Sequence, residues 1–159
     1  MITREQVQEA QDLEYEELFV PEWLDRVRRV ALRGIEDRIA ALNGESPEEL
    51  HRERDGIRQA ATCRVYMLSA AECEKLQNKT RASLTNNKDA NVQNFFARLA
   101  IATVRNENGE PIFKDSDVKW LGDKSFKSLN RIANVAMRLN GLSQNDQDEL
   151  LKNSEATHG

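Results

Sequence analysis

The sequence predicts a predominantly α-helical α+β domain, with a small β element near its N-terminus. Three observations predict it. Apolar residues recur at helical spacing along several stretches. Start and stop signals punctuate them, with Thr3, Ser46, Asp115 and Asp123 at the starts and Gly44, Gly122 and Gly141 at the ends. One run, residues 13–20 (LEYEELFV), mixes aromatic and β-branched residues, stops at Pro21 and reads as a strand. At 159 residues the chain has room for a single core. It divides into an N-terminal helix and β element (1–34), central helices (35–85), a C-terminal helical unit (86–152) and a disordered tail (153–159).

Thr3-Arg4-Glu5-Gln6 is a capping box, which predicts a short helix to about Ala10. Between Trp23 and Leu42, the residues Trp23, Val27, Val30, Ala31, Ile35 and Ile39 make a helical face. Gly34 interrupts that face, at a cost of about 1 kcal/mol in a helix. A helix starting near Ile35 closes at Asn43-Gly44. In Ser46-Pro47-Glu48-Glu49 the serine stands at the N-cap, the proline at the first helical position and Glu49 third. The expected helical region then runs towards Thr85, with Gly56 as the place for a break. Ile57, Ala61, Arg64, Leu68 and Ala71 or Glu72 trace one edge of it, with Val65 and Leu76 alongside, and the small residues at 60, 61, 70 and 71 suit close helix packing. The run TNNKDAN, residues 85–91, reads as a hinge.

Phe95, Phe96, Leu99, Ala102 and Thr103 share one helical face. Asn108-Gly109 predicts a tight turn, because both residues tolerate positive φ. Pro111 forces an extended piece, expected to drop Ile112 and Phe113 towards the core. Asp115 then caps a short helix through Val118, Trp120 and Leu121, which Gly122 stops. Asp123 caps the next helix, along which Phe126, Leu129, Ala133, Ala136 and Leu139 repeat; Gly141 ends it. Ser143 with Asp146 marks the start of a last helix.

The run NENGEPIFKDSDVKWLGDKSFKSLNRIANVAMRLNGLS resembles the C-terminal half of the tail assembly chaperones of long-tailed phages. The residues carrying the resemblance are Asn108-Gly109, Ile112-Phe113, Asp115, Asp117-Val118, Leu121-Gly122, Ser125, Leu129, Arg138-Leu139-Asn140 and Leu142-Ser143. A second patch, Val20-Pro21-Glu22-Trp23, is similar to the V-P-E-W of that family, with Val27, Leu32, Gly34 and Glu36 where its downstream pattern expects them. Leu24-Asp25 depart from it, standing where the family has glycines. The resemblance implies an N-terminal β-hairpin in which residues 26–32 form the return strand. It also implies a non-enzymatic protein of the host cytoplasm, absent from the mature virion. Such a protein coats the tape measure protein, helps recruit tail tube protein and associates weakly with its own copies.

The residues themselves point away from chemistry. No run of residues approaches the roughly 20 apolar positions needed to cross a bilayer. The segment MITREQVQEAQ is polar, unlike a signal peptide. A net charge of −4 argues against bulk phosphate neutralisation. Cys63 and Cys73, read as lying on one helix about 15 Å apart, are too distant for a disulfide and suit a reducing compartment. With only His51 and His158 as further candidates, no zinc-ligand spacing arises. No catalytic, cofactor-binding or metal-ligating residue is expected, and acid groups such as Glu14, Glu16 and Glu17 read as a solvated face.

A partner-binding surface is the better expectation. Its candidates are Trp23 and Trp120, the two tryptophans, with the cations Arg26, Arg28, Lys127 and Arg131. Arg26, Arg28, Arg29 and Arg33 are placed to pair with Glu14, Glu16 and Glu17 across the hairpin or between copies. The alternative is a small helix-turn-helix DNA-binding regulator. In it, residues 114–138 supply two helices around Leu121-Gly122, with Lys127, Asn130, Arg131 and Asn134 as readers.

Overall fold

The computed structural model describes residues 1–11, 13–86 and 90–141, with the backbone alone at 81–86 and 90–93. Ten elements follow one another: α1 (Arg4–Glu9), β1 (Tyr15–Phe19), α2 (Arg26–Ala41), α3 (Glu48–Gln59), β2 (Thr62–Tyr66), α4 (Ala70–Asn86), α5 (Ala90–Thr103), β3 (Val104–Arg105), α6 (Val118–Gly122) and α7 (Phe126–Leu139). Short 3-10 turns at Pro21–Trp23 and Asp115–Asp117 link β1 to α2 and lead into α6. The architecture is therefore predominantly helical α+β, as expected. The centre of the hinge and the last helix from Ser143 lie outside the described residues, as does the tail.

The β element is built differently from the expected hairpin. Residues 26–32 are the first turns of α2, not a return strand. The reason lies in Leu24-Asp25, where the turn glycines are missing. The Asp25 carboxylate accepts the Arg28 backbone N–H at 2.8 Å and the Arg28 guanidinium at 3.2 Å, so this residue starts a helix instead of turning a hairpin. Gly34 is tolerated inside it. The partner of β1 comes from within the expected long helix: β2 pairs antiparallel with β1 (Tyr15 opposite Tyr66, Phe19 opposite Thr62) and, on its other side, with β3. Residues 62–66 alternate between the core side and the outer side, burying Cys63 and Val65. That alternation, not helical spacing, governs the segment. The chain therefore leaves the helix at Ala60, not at Gly56, which sits inside α3.

Other local expectations shift by smaller amounts. Pro47, not Ser46, is the N-cap of α3, and the Ser46 hydroxyl instead meets His51 Nε2 at 2.5 Å. Of the small residues at 60, 61, 70 and 71, Ala61 is buried in the contact under α2, while the other three are exposed. Cys63 lies in a strand and Cys73 in a helix, both free thiols. Asp117, not Asp115, holds the start of its turn, accepting the Lys114 N–H at 2.8 Å. Asp123 caps the end of α6, and Ser125 precedes α7. Ile112 is 46% exposed, whereas Phe113 packs against the core.

The inner face of the sheet carries the main core. Leu18, Val20, Cys63 and Val65 meet Ala97, Leu99 and Ala100 of α5 and Leu129, Ile132, Ala133 and Ala136 of α7. Seven of the described α7 residues recur at helical spacing towards this core or its margin, which is why its apolar stripe is so legible in the sequence. Asn140, at the end of α7, accepts the Leu68 N–H at 2.6 Å, and Arg138 reaches Glu16 of β1 at 2.5 Å. On the outer face, Tyr15 stacks on Tyr66 at 4.9 Å, Glu17 pairs with Arg64 at 3.1 Å, and Arg105 lies over the Tyr66 ring. The acids of β1 thus pair with Arg64 and Arg138, not with the arginines of α2. A smaller cluster of Leu24, Leu32 and Ala61, with Phe19, Trp23 and Ile57, seats the α2–α3 pair.

Candidate partner-binding surface

The surface starts from the 3-10 turn after β1. The buried Val20 donates its N–H to Ala61 O at 2.9 Å, and the Trp23 N–H returns to Val20 O at 2.9 Å. This fixes Trp23, half-buried, between the two clusters. From the far end of the sequence, the Asn108-Gly109 turn brings in a second aromatic. Asn106 organises that turn: its side-chain oxygen accepts the N–H groups of Asn108 and Glu110, each at 2.9 Å, and Gly109 takes φ +77°. Past Pro111, Phe113 meets Trp23 edge-on at 5.9 Å and Trp120 edge-on at 6.0 Å. The two tryptophans nominated from sequence are thus joined through a residue that was not.

Trp120 is 44% exposed, with Lys124 Nζ 5.6 Å from its ring centroid. Phe126, at the start of α7, is 67% exposed and rests edge-on against Phe96 at 5.7 Å. With Ile112, these side chains hold apolar area in water that the domain's own core does not cover. Behind Phe113 runs a groove of about 290 Å³ between α4 and α5, floored by Leu76, Ile101, Ala102 and Val118 and edged by Lys75, Lys79 and Arg105.

Ion pairs border the tryptophans. Glu22 accepts from Arg131 at 3.2 Å and lies 3.9 Å from Lys127. Both nominated cations of α7 therefore converge on one half-buried carboxylate next to Trp23. Arg26 and Arg28 stand exposed on the first turn of α2, the second of them engaged by Asp25. Beside the groove, burial pushes the Glu72 carboxyl up, but the Ser69 amide and hydroxyl together with the Arg105 guanidinium outweigh it and hold Glu72 below the usual range. The Lys79 ammonium lowers Asp115 in the same way.

The arrangement suits binding through apolar and charged contacts. Burial pushes the Cys63 thiol up to about 11, which disfavours its nucleophilic form. Among the described residues there is no group of three or more His, Cys, Asp and Glu side chains placed to hold a metal ion. The helix-turn-helix alternative meets a specific obstacle: Ile132, Ala133, Val135 and Ala136 turn the middle of α7 into the core. Asn130 is half-buried, Arg131 is held by Glu22, and Lys127 and Asn134 remain exposed.

What sequence reasoning missed were Phe113 as the bridge, Glu22 as the anchor of the two cations, and Phe126 as an exposed side chain. The first two become visible only when the turn after β1 meets Phe113 and α7. Phe126 keeps the helical repeat of α7, yet as the first residue of that helix it is 67% exposed and rests on Phe96. No family model, curated protein or solved structure matches the chain significantly.

Proposed function

We propose that the protein is a non-enzymatic tail assembly chaperone of a long-tailed phage. In this reading it coats and solubilises the tape measure protein, helps recruit tail tube protein and leaves before the tail is complete. It works in the host cytoplasm and associates weakly with its own copies.

The observation that carries the reading is the exposure of two aromatic side chains, Trp120 and Phe126, each held edge-on by a second ring, Phe113 and Phe96. A client with long apolar helices needs such a surface: flat, rigid aromatics cover apolar area at low entropic cost and dominate binding energy. The residues of the family resemblance are consistent with it. Asn108-Gly109 turns the chain towards Phe113, Leu121-Gly122 completes the helix bearing Trp120, and Asn140 holds the end of α7 to the backbone of Leu68, just past β2.

The test is co-expression with a tape measure fragment, scored by the fraction of client in the soluble phase. The parent protein keeps the client soluble, and the double variant Trp120→Ala/Phe126→Ala, checked for folding by circular dichroism, loses that effect. A client whose solubility ignores the parent protein overturns the proposal.

A further inference from the structure

We infer that the outward face of α2 is a docking site for an acidic amphipathic helix of another protein. This surface lies apart from Trp120 and Phe126, and the inference stands whatever the client of the aromatic surface is.

The helix buries one narrow strip, Leu32 and Ile35, against α3 and the small cluster beneath. The opposite side carries Val27, Val30 and Gly34 at i, i+3 and i+7, one straight line along a helix. Val27 is 78% exposed and Val30 67%, so neither contributes to this domain's core. Gly34 is harder still to explain from within the chain. Its φ is not positive, and a Cβ built there would meet no atom within 4 Å, so neither backbone nor packing asks for glycine. Glycine and β-branched valine both weaken an exposed helix relative to alanine or leucine. All three sit on a face of α2 left exposed among the described residues. A glycine one turn beyond two exposed valines lets the backbone of a second helix approach closely at that point.

Charge selects the visitor. Arg26, Arg29 and Arg33 repeat at i, i+3 and i+7 beside the apolar line, and none forms an ion pair among the described residues. Glu36 and Asp37 follow Arg33 by one turn, and among the described residues neither forms an ion pair with it. Three unpaired guanidiniums along an apolar strip complement glutamates flanking a leucine or isoleucine stripe.

The test uses the full chain and a fluorescein-labelled designed peptide of about 20 residues, glutamate-rich with leucines at heptad spacing, together with its lysine twin. Fluorescence anisotropy is read at low and high salt. The expected result is saturable binding of the glutamate peptide that weakens as salt rises, with the lysine twin at least about tenfold weaker. Gly34→Leu and Arg29→Glu/Arg33→Glu abolish it, while Gly34→Ala raises the Tm of the free protein. Absent binding, equal binding of the two peptides, indifference to these variants or a lowered Tm in Gly34→Ala overturns the inference. So does sedimentation showing a parent dimer that Gly34→Leu dissociates, since the occupant would then be a second copy.

Discussion

Replacing Phe113 by alanine tests how the two ends of the sequence are joined. The ring touches Trp23 at 5.9 Å with an interplanar angle of 81° and Trp120 at 6.0 Å with 68°. A fully buried Phe→Ala change costs about 3–5 kcal/mol. Phe113 is half-buried, which scales this to roughly 2–3 kcal/mol. The edge-to-face contacts, at about 0.5–1.5 kcal/mol each, are contained in that figure and are not added to it. Urea unfolding followed by tryptophan fluorescence reads the loss, with both reporters beside the mutated site. A double-mutant cycle with Trp120→Ala should return a coupling of about 0.5–1.5 kcal/mol. A loss below about 1 kcal/mol, or independent behaviour of the two changes, refutes Phe113 as the bridge.

Three further outcomes are expected. The folded-state value of Glu72 is lowered, so its stabilisation is present above the unfolded carboxyl value and lost as pH falls through the folded one. The stability gap between parent and Glu72→Gln should therefore be under about 1 kcal/mol at neutral pH, given a partly exposed carboxylate, and close below about pH 4; a gap constant from pH 7 to pH 3 refutes it. A thiol reagent at mildly alkaline pH should modify Cys73 well before Cys63, whose thiol is buried and shifted up to about 11; equal rates in native protein would contradict that burial. Hydrogen exchange should find the amides of Cys63, Arg64 and Val65 among the slowest, since β2 is paired on both sides, and Val65→Pro should cost about 3 kcal/mol or more. Exchange as fast as that of the uncovered α1 would count against a central strand.

The helices of the C-terminal half were legible because their signals are local. The apolar repeat of α7, the Asn108-Gly109 turn and the glycine after α7 need no knowledge of the rest of the chain. The sheet was not legible, for a physical reason. Strand β2 is five residues long, bounded by neither glycine nor proline, and flanked by alanines and charged residues that favour helix. Its alternation of Cys63 and Val65 gains meaning only from β1, a partner far away in sequence. The same holds for the candidate surface. Tryptophans and cations could be nominated one at a time, but Phe113 and Glu22, which gather them, are defined by contacts across the whole chain.

The central placement of β2 and the late position of α7 set an order of events during translation. Strands β1 and β2 can pair once Tyr66 has left the ribosome, yet Val20, Cys63 and Val65 gain their full cover only when Phe126–Leu139 follows. A nascent chain stalled between those points holds a wet apolar sheet face and an uncapped Leu68 amide that Asn140 has still to reach. Products terminated before Phe126 should therefore expose that face and aggregate or be degraded.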